Sequence, residues 1–187
     1  MKFTLIATLI ATGLIAATAS AATPAATASS YAGQEQRDIK ALSAEDVAAY
    51  LAGNGMGLAK AAELNGYAGP AHVLELATQL DLTPDQRART QALFAAMETK
   101  AVALGQALVS QERQLDRLFA NKTVTPPLLA SALKEIGALT AQVREAHLAA
   151  HLAQVKILSA AQNARYAQLR GYAGVNGAGG DGGQHRH

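Results

Sequence analysis

His147-Leu148-Ala149-Ala150-His151 is the stretch of this chain whose residue types and spacing best suit holding an ion. Residues four apart stand on one face of a helix, so both imidazoles project to the same side, a spacing that lets two histidines share one metal. At 100° per residue, His147 aligns with Leu129 and His151 with Leu133, on the apolar stripe of their segment. A helical hairpin turning near residue 123 then sets His147 opposite Thr99 and His151 opposite Ala95, bracketing Met97 and Glu98. Met97 lies mid-stripe, whereas Glu98 lies about 100° to its side and reaches inward only from the flank. His147, His151, Met97 and Glu98 together would suit a borderline divalent ion, Zn, Ni, Co or Cu. The bland alternative stays open: two hydrogen-bonded stripe histidines, or two histidines facing a solvated groove. No cofactor is required by any pattern in the chain.

A second metal candidate is the terminal His185-Arg186-His187, which follows a glycine-rich stretch that includes Gly174, Gly177, Gly179, Gly180, Gly182 and Gly183. Such a tail reads as flexible, and a polar terminus without a ligand is its simpler reading. His72, alone after Pro70-Ala71, reads as structural.

Catalysis has no comparable support. Ser43, Ser110, Ser131 and Ser159 lie at caps or inside helical patterns, without a G-x-S-x-G turn. The glycine clusters at 53–57 and 177–183 follow no strand, so they do not read as phosphate loops. Glu112 and Asp116 look like surface carboxylates pairing with the neighbouring Arg113 and Arg117. The chain therefore reads as a non-enzyme.

The elements that must position the histidines are helices. Thr83-Pro84-Asp85-Gln86 is a capping box with Pro at the first helical position. From there to Asn121 runs one long amphipathic helix, with Leu93, Met97, Ala101, Leu104, Leu108, Leu115 and Phe119 on one stripe. Asn121 to Val124 turns the chain, and Thr125-Pro126-Pro127 opens a second long helix. Its stripe is Leu129, Leu133, Ile136, Val143, Ala150 and Leu158, so the two pack as an antiparallel hairpin. Ser159-Ala160-Ala161-Gln162 caps a last helix that ends near Arg170-Gly171. Upstream, Ser43 with Asp46 starts a helix broken by Gly53-Asn54-Gly55-Met56-Gly57, and Pro70 opens a short one. The fold class is all-α: a long antiparallel hairpin with shorter flanking helices.

The N-terminus carries the grammar of an export signal. Lys2 precedes an apolar run, and Ala19-Ser20-Ala21 is an A-x-A cleavage site. Thr4, Thr8, Thr12 and Gly13 interrupt the run, which favours cleavage over retention as an anchor. No other segment reads as long and apolar enough to span a bilayer. Cleavage leaves 166 of the 187 residues, arranged as a flexible leader at 22–42, a helical domain at 43–172 and a disordered tail at 173–187. Lys2 leaves with the signal, so 15 basic residues face 14 acidic ones, and no basic footprint points to nucleic acid. With no cysteine, an exported chain must hold itself by packing alone.

Leu82-Thr83-Pro84-Asp85-Gln86 and Leu158-Ser159-Ala160-Ala161-Gln162 open two helices, with the long hairpin between them. Behind an export signal this pair resembles the LTxxQ-motif proteins of the bacterial periplasm, the Spy/CpxP chaperone group and its heavy-metal-resistance sensor relatives. The likeness covers roughly residues 70–172, and the second motif has Ser for Thr, which keeps the capping hydroxyl. It implies a cradle-shaped homodimer that binds unfolded periplasmic proteins without ATP, or binds divalent metal and reports to a membrane-bound sensor. A passive helical oligomer, or a ligand of a membrane sensor that binds neither client nor metal, is the remaining alternative. Client binding would use apolar residues among charges: Phe94, Leu118, Phe119, Val124, Leu128 and Leu148, rimmed by Lys100, Arg113, Arg117 and Arg144. The same six could instead close a hairpin or dimer core.

Overall fold

The computed structural model describes residues 29–172. The export signal at 1–21, the first part of the leader and the tail with His185 and His187 lie outside the described residues. Among those described, every regular element is helical. In order they are α1 (Ala44–Leu51), α2 (Lys60–Glu63), α3 (Pro70–Glu75), α4 (Pro84–Ala120), α5 (Pro126–Gln154) and α6 (Ala160–Leu169), preceded by a 3₁₀ turn at Gln34–Gln36.

Local chemistry sets the boundaries. At the start of α4, Thr83 Oγ1 accepts from Gln86 N–H and Gln86 Oε1 accepts from Thr83 N–H, each at 3.1 Å. Ser159 and Gln162 repeat this box on α6, and Ser43 and Asp46 repeat it on α1. Each box satisfies two backbone groups that a helix start otherwise leaves bare. Both long helices begin with Pro after a Thr cap. Asn121 ends α4, and Lys122 adopts the left-handed conformation (φ 55°) that reverses the chain.

α4 and α5 pack along each other and form the frame. Leu108 of α4 meets Ile136, Leu139 and Val143 of α5, with Tyr50 of α1 and Leu58 added from the side. A second core sits toward the helix starts, where Ala68, Val73, Leu80, Leu158 and Tyr166 join Leu76, Leu82 and Leu169. Each large side chain so buried contributes on the order of 1.5–3 kcal/mol. α1 crosses α4 at Gly105, where an added Cβ would stand 2.1 Å from the Tyr50 carbonyl oxygen. The single glycine of α4 is thus the notch that admits its neighbour.

Three expectations are revised. Residues 34–42 are not part of a flexible leader: Ile39 is only 2% exposed. The flanking Asp38 pairs with Arg113 at 2.9 Å, and the Lys40 ammonium pairs with Asp116 at 3.1 Å. The packed unit accordingly starts at Gly33, and Arg113 and Asp116 serve as anchors for this segment rather than as partners within their own helix. Second, the stripes end early. Phe119 and Leu133, expected inside, are 55% and 52% exposed, because the segments that cover α4 lower down do not reach the turn end of the hairpin. Third, α4 does contain an 18-residue window apolar enough, by length and composition, to cross a membrane; here that helix packs against α1, α3 and α5.

Candidate metal centre

The glycine-rich loop at 53–57, α2, α3 and the hairpin line a half-open cavity of about 580 Å³. Met97 and Glu98 of α4 and His147 and His151 of α5 all line it, so the hairpin brings the four candidate residues to one space. Met56, from the loop, and Phe94 line it as well. The loop reaches this position through left-handed glycines: Gly53 (φ 67°) lies against Val102 and the Glu98 carbonyl, where a Cβ would meet atoms at 3.0–3.2 Å.

His147 is 6% exposed. Among the described residues its buried Nε2 has no hydrogen-bond partner, while Gly55 packs beside its Nδ1, a Cβ there standing 3.8 Å away. Burial, and then the charge of His151, push the His147 pKa below the usual imidazole range. The ring is therefore neutral at pH 7, the form in which imidazole ligates metal.

His151 is oriented differently. Its Nδ1 lies 2.7 Å from the Tyr67 carbonyl oxygen. A carbonyl only accepts, so Nδ1 carries the proton and the lone pair of the neutral ring sits on Nε2. A backbone carbonyl holding one ring nitrogen while the other is left for an ion is the common support of a metal-bound histidine. Among the described residues that Nε2 makes no hydrogen bond, and Gly69 gives it room: a Cβ at Gly69 would fall 2.8 Å from Cε1 and 3.0 Å from Nε2.

Behind His151 stands a cluster that the sequence reading missed. Glu63 Oε2 is 3.7 Å from His151 Nδ1. Glu63 Oε1 accepts from the Tyr166 and Tyr172 hydroxyls and lies 3.3 Å from Arg170 Nε, an ion pair without hydrogen-bond alignment. Burial, and then the bond and charge of Glu63, raise the Tyr166 pKa far above its ordinary value. Tyr166 therefore stays protonated and clips α6 to α2. The legible signal was an acid in an otherwise alanine-rich segment and a Tyr on the apolar side of α6. Their meeting spans 103 residues, beyond the reach of local patterns.

The other candidates are dispersed. His72 also lines the cavity, with its Nδ1 held 3.0 Å from Glu75 Oε2. Leu118, Phe119, Val124 and Leu128 gather at the turn of the hairpin, whereas Phe94 borders the cavity and Leu148 lies in the last two turns of α5, so the six do not lie together. The capping residues do more than cap. Gln86 Nε2 donates to Gln162 Oε1 at 2.8 Å and Gln162 Nε2 donates back to Gln86 Oε1 at 2.9 Å. Leu82 packs against the same core that buries Leu158.

Among the described residues, no three His, Asp or Glu side chains form a ready ligand set. The imidazoles and thioethers that line the cavity would fit a borderline or soft ion rather than a hard one, with Glu98 and Glu63 adding carboxylates to the same lining.

The sequence model of a family described as heavy-metal resistance matches residues 47–165. The chain belongs to that family. The match spans α4 and α5 entirely, both LTxxQ-type motifs and the glycine-rich loop, and places the chain among the LTxxQ, Spy/CpxP-like helical proteins. The family is non-enzymatic and usually periplasmic. No curated protein and no solved structure matches the chain.

Proposed function

We propose that this member of the heavy-metal resistance family is a periplasmic, homodimeric protein that binds a borderline divalent cation (Ni, Co, Cu or Zn) in the cavity beneath the glycine-rich loop. The observation that carries the reading is the pair of imidazoles on one cavity. His147 Nε2 is buried without a partner, and His151 is held by the Tyr67 carbonyl so that Nε2 is left for a ligand. Met97 and Met56 offer thioethers to the same ion, and Glu98 a carboxylate from the flank. Bound, the cation would accept a lone pair from the nitrogen that the fold leaves orphaned, and would tie the loop to α5. The structural consequence of metal loading is then a tighter α1–α2 loop, a change that a membrane-bound sensor could read.

Thermal melting in chelator, then with each of the four ions, tests this. At a hundredfold excess over Kd the ion should add about 2.7 kcal/mol. That raises the melting temperature by roughly 5–11 °C for a domain of this size. No rise with any ion contradicts the reading.

Client holding of the Spy/CpxP kind is the second reading, supported by the family likeness and by the apolar residues left exposed at the turn of the hairpin. Suppression of an aggregating model client at near-stoichiometric ratio, without ATP, supports it. No effect at roughly tenfold excess contradicts it.

A further inference from the structure

The turn end of the hairpin combines exposed apolar side chains with unopposed positive charge. Phe119, Leu128 and Leu133 are 55%, 46% and 52% exposed, and the nearby Leu118 and Val124 are half-buried. From Arg117 to Lys134 the chain carries Arg117, Lys122 and Lys134 and no acidic residue. The nearest acid on α4, Asp116, is held by Lys40, and Glu135 stands one residue past the other boundary. The segment is rigid: α4 runs to Ala120, α5 begins at Pro126, and two backbone N–H groups of the turn, from Thr123 and Val124, bond to Leu118 O at 3.0 and 3.2 Å. Exposed apolar side chains on a folded chain without a partner mark an interaction site. A hydrophobic tip set among cations is the pattern that partitions into the headgroup region of an anionic bilayer, each cation near the surface adding to the attraction.

We propose that the turn end of the α4–α5 hairpin is a membrane-docking tip, which inserts Phe119 and Leu128 into the interface of an anionic lipid surface, with Lys122 and Arg117 on the headgroups. An unfolded polypeptide would take the apolar residues equally well, but gives no reason for the absence of acids across this stretch. The proposal goes beyond the metal reading and does not depend on it, since the cavity and the tip share no residue.

The chain contains no Trp, so Phe119→Trp installs a single fluorescent reporter at the tip, and Tyr67→Trp installs one beside the cavity. Each variant is mixed, in chelator, with vesicles of phosphatidylcholine alone or of phosphatidylcholine with phosphatidylglycerol. Flotation with the anionic vesicles, a blue shift of the Phe119→Trp emission with quenching by a lipid-phase quencher, and no shift for Tyr67→Trp are expected. Lys122→Glu changes the tip charge by two and should weaken partitioning roughly thirtyfold. Phe119→Ser should weaken it with the salt dependence intact. Circular dichroism confirms that the variants fold, which their exposed positions favour.

No flotation, or flotation without a shift at residue 119, overturns the proposal. So does a Phe119→Ser protein that floats as the parent does but has lost client suppression, which would give the surface to unfolded chains. A Phe119→Ser protein whose oligomeric state by light scattering differs from the parent's also overturns it, because the tip would then be a subunit interface. Since every arm is run in chelator, failure here leaves the metal reading standing, and the absence of metal binding leaves this one standing.

Discussion

The carboxamides of Gln86 and Gln162 exchange two hydrogen bonds, at 2.8 and 2.9 Å, and so join the first turns of α4 and α6. Each glutamine also accepts from the N–H of its own cap residue, Thr83 or Ser159. Each amide further donates to a backbone carbonyl across the joint, Gln86 to Ile157 and Gln162 to Leu80, both at 3.0 Å. The two motifs are thus two halves of one clasp, which closes the open end of the hairpin.

A double-mutant cycle measures the clasp. Gln86→Ala and Gln162→Ala each lose a capping interaction and leave the partner amide short of a bond, a cost of about 2–3 kcal/mol in denaturant melts. Because the two share their bonds, the double variant should cost less than the sum by about 1 kcal/mol or more. Strict additivity would mean that the caps act separately.

Two glycines of the hairpin should respond in opposite directions to alanine. At Gly105 the new methyl would stand 2.1 Å from Tyr50 O, so α1 must shift, and the loss should exceed the roughly 1 kcal/mol gained in helix propensity. At Gly137 nothing lies within 4 Å, and the same change should stabilise by about 0.5–1 kcal/mol. Denaturant midpoints of the two variants check this. A stabilised Gly105→Ala would deny the close crossing of α1.

His147 sets a pH dependence. Burial, and then the His151 charge, lower its folded pKa below the unfolded value near 6.5. Between those values the unfolded chain binds the extra proton, so stability is complete above about pH 6.5 and falls as the pH drops below it. In chelator, His147→Phe should remove up to about 1.4 kcal/mol per pH unit of that slope. Unfolding curves from pH 7.5 to 5 compare the two, and parallel slopes would place the titration elsewhere.

What was readable in the sequence follows from the range of each interaction. The caps at Thr83, Thr125 and Ser159 and the helices they open are local, set by backbone groups within four residues and by a 3.6-residue period. The hairpin register was readable too, since a tight turn fixes which residues face each other, and Leu108 does meet Ile136 and Leu139 across the hairpin. The stripe failed at Phe119 and Leu133 because periodicity marks an apolar face but not where its cover stops. The packing of Ile39 is not legible because the residues around it carry no sustained apolar period; its neighbours Asp38 and Lys40 are held by Arg113 and Asp116, more than 70 residues away. The Gln86–Gln162 clasp and the Glu63 cluster were unreadable for the same reason.

Calorimetric titration with Ni, Co, Cu and Zn tests the central claim most directly, on the intact protein, on the His147→Ala/His151→Ala double variant and on a chain ending at Ala173. The cavity account predicts heat of binding in the intact and shortened chains, loss of that heat in the double variant, and affinity that falls as the pH drops through the imidazole range. Binding lost on truncation but kept in the double variant would move the site to His185 and His187. The absence of heat with all four ions would contradict the account outright.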